Sequence, residues 1–427
     1  MEEINNQEEY ELIRERIKTR PINRKKLFRR TVITAVMAVV FGVLACITFL
    51  VLEPVFSNML TPEEEPVPSE VTIPLDEEET SPTDFILQDE EETRTQIIYQ
   101  ETERTTTTIE DYQNFYNELY DLSKTCQKSL VTVTGVSQDV DWFNNSYESE
   151  DVTTGLIVAN NDLELLILAD GSVIKNSENI EITFFNELVA PGTIKESDKN
   201  TGLCIIGVPV ENLTSTLLDP DIIAKLGNSK TNRLLFAPVI ALGRPTGNTV
   251  SAETGMITYK ANSLNMVDNN YDMFVTDMRG ASSSNGVIFN LSGEVLGIIY
   301  QKNAALDTET LSALGISDLK RSIERMSNGR SRAYLGVIGT DVTLEAISQG
   351  VPVGAYVLEI DMGSVAMQAG IQSGDVITKV DGFDITTFTV FTEAISSHQP
   401  GDEVELTIRR LSGDEYREQE ITVALGE

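Results

Sequence analysis

A serine attacks a carbonyl carbon only when a base takes its proton and backbone N–H groups hold the oxyanion that forms. The stretch 277–299, Asp-Met-Arg-Gly-Ala-Ser-Ser-Ser-Asn-Gly-Val-Ile-Phe-Asn-Leu-Ser-Gly-Glu-Val-Leu-Gly-Ile-Ile, sets Ser282, Ser283 and Ser284 in a small-residue turn. The base is harder to find. The chain has one histidine, His398, about 110 residues further on, just before Pro400-Gly401. A helix C-terminus there would favour a surface imidazole through its dipole. No metal-ligand spacing, phosphate loop or nucleotide fingerprint occurs, so neither cofactor nor metal is expected. Of the three cysteines, Cys46 lies in an apolar run. Cys126 and Cys204 read as small core residues, with a bridge between them left open.

Positioning such a turn takes a folded domain, and 427 residues suffice for two or three. The net charge of -35 argues against nucleic acid and anionic surfaces as partners. Residues 1–30 run the other way, with nine Lys or Arg against six Glu, and read as a basic cytoplasmic tail. Residues 31–52 carry no charge over 22 positions, enough to cross about 30 Å of hydrocarbon. Glu-Pro-Val-Phe follows where a cleaved signal would carry small residues, so a retained transmembrane helix is expected. The charge bias across it predicts a single pass through the cell membrane, N-terminus cytoplasmic and C-terminal domains extracellular.

Residues 53–108, rich in Glu, Thr and Pro, read as an extended stalk, with Gln96–Tyr99 its one hint of a strand. Residues 109–128 place Tyr112, Phe115, Tyr116, Leu119, Tyr120 and Leu122 mostly three or four apart, which predicts an amphipathic helix. Its aromatic stripe is expected to pack on the following domain, with an oligomer contact as the alternative. Alternating, β-branched segments at 129–135, 155–158, 163–168 and 180–185 predict an all-β domain reaching about Lys302. Residues 317–326 then read as a helix with Ser317 as N-cap, ended by Asn328-Gly329.

Four local patterns occur in an order that resembles the HtrA/Deg protease domain, a trypsin-like double β-barrel. They are Ala224-Lys-Leu-Gly-Asn-Ser229, Val239-Ile-Ala-Leu-Gly-Arg-Pro-Thr-Gly247, Gly255-Met-Ile-Thr258 and the 277–299 loop. The resemblance covers about 129–326, within a domain of 109–328 that includes the preceding helix. It implies that Ser284 stands at the nucleophile position, with two loop glycines replaced by Ser282 and Asn285 and only Gly286 kept. Leu166-Ile-Leu-Ala-Asp-Gly-Ser172-Val-Ile174 is similar to the family's histidine motif, which puts Ser172 where the general base would be. Thr201-Gly-Leu-Cys-Ile-Ile206 puts Gly202 in place of the orienting aspartate. Neither can do that work, and losing triad members costs on the order of 10⁴ to 10⁶ in rate. A pseudoprotease with no intact catalytic set is the expectation. Lys175, three residues from Ser172, is the one base weighed as a rescue for Ser284, and it would need a dry pocket to lose its proton.

Residues 333–427 resemble a PDZ domain. Tyr334-Leu-Gly-Val337 is similar to its carboxylate-binding loop, Val353-Gly-Ala-Tyr-Val357 to the next strand, and the run Ser364 to Ile377 to its signature helix and turn. The resemblance implies peptide binding at Tyr334, Leu335, Gly336 and Val337, with backbone N–H groups receiving a C-terminal carboxylate and an open strand edge taking the peptide. A second helix from Phe388 to about His398 would wall the groove.

The function expected is a non-catalytic, extracytoplasmic adaptor that binds peptides or C-termini of envelope proteins, with the protease-like domain as a second surface. The alternative is an HtrA-type endopeptidase using Ser284 with a non-standard base. A third is an architectural homo-oligomer, trimeric by family resemblance. A protease requires a base within about 3.2 Å of Ser284 Oγ. An adaptor requires an open groove, and an architectural role predicts a groove blocked by the chain itself.

Overall fold

The computed structural model describes residues 24–60, 67–76, 108–140, 146–302 and 309–426. The chain falls into two compact units, Met1–Val67 and Pro68–Glu427. In the first, α1 (Arg24–Leu60) is one helix that extends past the expected span at both ends. Its stretch Phe28–Phe49, 22 residues of mean hydropathy 2.6, is long and apolar enough to cross a membrane. Most of the basic tail lies outside the described residues, as does Gln96–Tyr99.

In the second unit, α2 (Ile109–Gln127) starts on a capping box, with Thr108 and Asp111 satisfying each other's backbone N–H groups. Strands β1 (Leu130–Val140), β2 (Ser146–Asn160), β3 (Glu164–Asp170), β4 (Asn179–Thr183), β5 (Val189–Ser197) and β6 (Leu203–Pro209) close into a barrel in the order β1-β2-β3-β6-β5-β4. A short helix α3 (Gly171–Ile174) follows β3.

After β7 (Lys225–Leu226), a second ring forms from β8 (Pro238–Arg244), β9 (Ser251–Met266), β10 (Asn269–Arg279), β11 (Asn285–Asn290), β12 (Glu294–Ile299) and β13 (Thr310–Gly315). It runs β11-β8-β9-β10-β13-β12 and closes through β11–β12, with β7 parallel to β12. The apolar run in β3 shows why the barrels pack as they do. Successive side chains point to opposite faces of a strand. Leu165, Ile167 and Ala169 fill the first barrel, while Leu166 and Leu168 face the core shared between the barrels. β6 repeats the device with Cys204 and Ile206 inside and Leu203 and Ile205 at the junction.

Helix α4 (Ile316–Ser327) seals that junction with Ile316, Leu319, Ile323 and Met326. Its N-cap is Gly315, not Ser317. Ser317 instead exchanges hydrogen bonds with Ser229, its N donating to Ser229 Oγ at 3.1 Å and its Oγ accepting from Ser229 N at 2.9 Å.

The C-terminal domain holds β14 (Val337–Asp341), α5 (Leu344–Ser348), β15 (Ala355–Ile360), α6 (Val365–Gln368), β16 (Val376–Val380), β17 (Phe383–Asp384), α7 (Phe388–Ser396), β18 (Glu403–Ser412) and β19 (Glu415–Ala424). Its sheet order is β14-β15-β16-β18-β19, with β17 paired to β16. Phe388 and Phe391 of α7 pack on Val337, Val357 and Leu406 as a separate core.

Two expectations are corrected. The stalk is not solvated throughout, because Pro68–Asp76 lies as a strap on α4. Val71 and Ile73 are buried in the shared core while Thr72 between them is exposed, a period-two pattern too short to stand out among Glu and Pro. Asn328 holds both polar groups of Val71, its Oδ1 accepting at 2.9 Å and its Nδ2 donating at 2.8 Å, and Ile73 N donates to Glu324 Oε2 at 2.8 Å. Lys320, buried, pairs with Asp76 at 2.6 Å. The aromatic stripe of α2 does not pack on the domain either. Among the described residues its apolar contacts to the domain are made by Leu119, Leu122 and Cys126, leaving Tyr112, Phe115, Tyr116 and Tyr120 exposed.

Candidate functional site

Ser284 sits at the end of a turn between β10 and β11, and its hydrogen bonds go to backbone groups. Its Oγ donates to the Pro245 carbonyl and accepts from Ala281 N at 2.8 Å. Its own N–H donates to Ala281 O at 2.9 Å. The turn thus bonds to itself, with the Ser284 N–H taken by Ala281 O. Neither Ser282 nor Asn285 has the positive φ that a glycine can supply there, whereas Gly286 does, at 137°. Asn285 is put to other use, its Oδ1 accepting from Thr154 N at 2.9 Å and tying the second barrel to the first.

Ser172 and Gly202 are brought together, but around a lysine. Lys302, just beyond β12, donates from Nζ to Ser172 Oγ at 2.6 Å and pairs with Asp170 at 2.8 Å. Ser172 Oγ in turn donates to Asp170 Oδ1 at 2.6 Å. A Cβ placed on Gly202 would lie 3.5 Å from Lys302 Nζ and 3.7 Å from Ser172 Cβ, so the lysine amine stands in the space beside the missing carboxylate. Lys175 is exposed, and no contact joins it to Ser284. Among the described residues the partners of Ser284 Oγ are backbone groups, and no basic side chain reaches it.

A second convergence lies 16 residues before Ser284, at the tip of the β9–β10 hairpin. Asp268, 1% exposed, places its carboxylate in the loop before β14. Oδ2 accepts from Leu335 N at 2.8 Å and Gly336 N at 2.9 Å, and Oδ1 from Val337 N at 2.8 Å. Asp268 N donates to Val337 O at 2.7 Å. Gly336, at φ 96°, lets the three N–H groups face one point. Burial pushes the Asp268 carboxyl above the ordinary carboxylate range, opposed by Arg332 and by the three N–H groups. Tyr334 plays another part, since its N–H donates to Gly426 O at 3.0 Å and its hydroxyl to Asp361. His398 is not a free surface imidazole, with Nε2 2.9 Å from Asp381 Oδ2 and Nδ1 2.9 Å from Ala394 O.

Comparison with known proteins gives the same two-part reading. Residues 153–298 match the family model of a trypsin-like peptidase domain, and residues 333–425 that of a PDZ domain. The chain is 25% identical over 292 residues to a serine protease Do-like HtrA of Lactobacillus helveticus, covering 64% of this chain and 68% of that one. It is 26% identical over 293 residues to a probable periplasmic serine endoprotease DegP-like of Hahella chejuensis, covering 66% and 58%. Against a serine protease HtrA-like of Staphylococcus aureus it is 24% identical and spans 42% of that longer chain. In fold, it matches a structure of the HtrA-type protease AlgW with decapeptide at a TM-score of 0.52, with 17% identity over 72% of this chain and 98% of that one.

The chain joins a trypsin-like peptidase domain to a PDZ domain, and in that pairing it is similar to HtrA/DegP-type proteases. Three residues of the site carry no signal in the sequence. Lys302 follows a strand with nothing to mark it, and Asp170 is set apart in the sequence only by lying two residues before Ser172. Asp268 stood in a Val-Asp-Asn-Asn turn, and only the fold carries that turn to a loop almost 70 residues away.

Proposed function

We propose that this HtrA-type chain is a membrane-tethered, non-hydrolytic receptor for C-terminal peptides. The observation that carries the loss of hydrolysis is the state of Ser284, its hydroxyl proton on Pro245 O and its N–H on Ala281 O. A serine so held has neither a base nor an oxyanion site, the two parts acyl transfer needs. Lys302 cannot substitute where it stands, because it is committed to Ser172 and Asp170. Peptide recognition is supported by the convergence of the 335–337 N–H groups on one carboxylate and by solved HtrA-type relatives described with decapeptide and tripeptide. The groove is not open as an adaptor requires. Asp268 of the same chain fills it, the state set out above for an architectural role, so a peptide has to displace Asp268. Tethering, with the C-terminal domains outside the cytoplasm, is supported by the apolar stretch of α1, and the Hahella relative is named periplasmic. Self-association of the exposed aromatic stripe of α2 would make the receptor multivalent.

The rival reading, an endopeptidase acting through Ser284, draws on the names of the relatives. Intact-mass analysis after treatment with a fluorophosphonate separates the two. The full chain in detergent is expected to remain unlabelled, like Ser284→Ala. A fluorophosphonate adduct on the unaltered chain that disappears in Ser284→Ala would overturn the non-hydrolytic reading.

A further inference from the structure

A C-terminal residue offers a PDZ loop two things at once, a carboxylate for the convergent N–H groups and a backbone N–H for the neighbouring strand. Asp268 offers both. Its carboxylate accepts from Leu335, Gly336 and Val337, while its own N–H donates to Val337 O at 2.7 Å. Two residues on, Asn270 Nδ2 donates to Gly339 O at 3.2 Å, so the hairpin engages the edge of β14 as an added peptide would. The tip is fixed from behind. Val267 O accepts from Arg332 Nη2 at 2.9 Å and from Asn200 Nδ2 at 2.7 Å. Asp268 itself takes φ 55°, a left-handed conformation that Asp tolerates better than most residues.

We propose that Asp268 is a built-in ligand of the PDZ carboxylate loop, and that a peptide C-terminus enters only after the β9–β10 hairpin tip has left. This rests on the peptide-receptor reading above, adding an internal competitor to it. A carboxylate held on the same chain competes at a high effective concentration, so the loop is closed to weak ligands and open to strong or clustered ones. The expected groove is therefore present but occupied.

The test uses the full chain in detergent, as wild type, Asp268→Ala and Asp268→Asn. The probe is a fluorescein-labelled decapeptide pool, randomised at its last four positions, with either a free C-terminal carboxylate or an amide. Hydrogen exchange of the 335–337 amides is followed in parallel. Asp268→Ala is expected to bind the free-acid pool at least tenfold more tightly than wild type, with no such gain for the amide pool. Exchange at 335–337 should rise at least tenfold without peptide. Asp268→Asn keeps the size and one acceptor oxygen, and is expected to fall between the two, which guards against misfolding of the alanine variant. Equal peptide affinity and unchanged exchange would overturn the internal ligand while leaving the receptor reading intact. Raised exchange with no binding by any of the three would overturn the receptor reading, and the competition with it.

Discussion

At Gly202 the main chain turns through φ 76°, a conformation that costs an ordinary L residue about 1–2 kcal/mol. The nearest atom to an added Cβ is 3.5 Å away, so Gly202→Ala should cost that strain energy in stability and little else. A urea midpoint lowered by a corresponding amount checks it. Restoring the family's triad is a sharper trial. Ser172→His with Gly202→Asp is expected to stay inert to fluorophosphonate, since the pair would return a base but not free Ser284 from Pro245 O and Ala281 O. The buried thiols are equally unreactive. Burial raises Cys126 from 9.0 to about 11, and burial with the Asp170 charge raises Cys204 from 9.0 to about 12. Both are free, so no bridge joins them. At pH 8 about one molecule in a thousand or fewer would carry either thiolate. Iodoacetamide should miss both in the native chain and label both in urea. The same shifts destabilise the fold in alkali, because above about pH 9 the unfolded thiols shed protons that the folded ones keep.

Among the elements, the strap shows how a short segment can be held. Lys320 keeps an ammonium group in a buried site that Asp76 balances, and breaking a buried pair by removing one partner costs about 3–5 kcal/mol. Asp76→Ala is expected to lower the thermal unfolding temperature of the chain accordingly, and Asp76→Asn to do so less. The strap was illegible in the sequence because two apolar residues two apart, Val71 and Ile73, give no periodicity to detect. β3 was legible for the opposite reason, as its apolar run serves two cores at once. The Tyr334-Leu-Gly-Val337 run stands out in the sequence, but its bond to Asp268 does not, because Asp268 and Gly336 lie 68 residues apart and meet only through the fold. Lys302 was hidden in the same way, 130 residues from Ser172.

For the whole molecule, one cluster of exposed aromatic residues among the described residues sits on α2. Tyr112 and Tyr116 are 60% and 49% exposed, stacked edge-to-face at 5.0 Å, and Tyr120 is 61% exposed one turn on. If copies meet there, Tyr112→Ser with Tyr116→Ser should reduce the mass measured by light scattering in detergent to that of one chain, with the 335–337 amides still protected. An unchanged mass would remove α2 from the association surface. The overall charge of -35 makes such association salt-dependent, stronger as like charges are screened.

The strap also bears on what happens when the chain is cut. Backbone hydrolysis anywhere within 77–107 would sever the covalent route from α1 to the barrels, yet Val71, Ile73 and Asp76 would stay docked on α4. The two pieces would remain a complex, as in fragment complementation. Separation of the two pieces would then be set by how fast the strap peels from α4, and a nick that looks complete on a denaturing gel would leave the native particle whole.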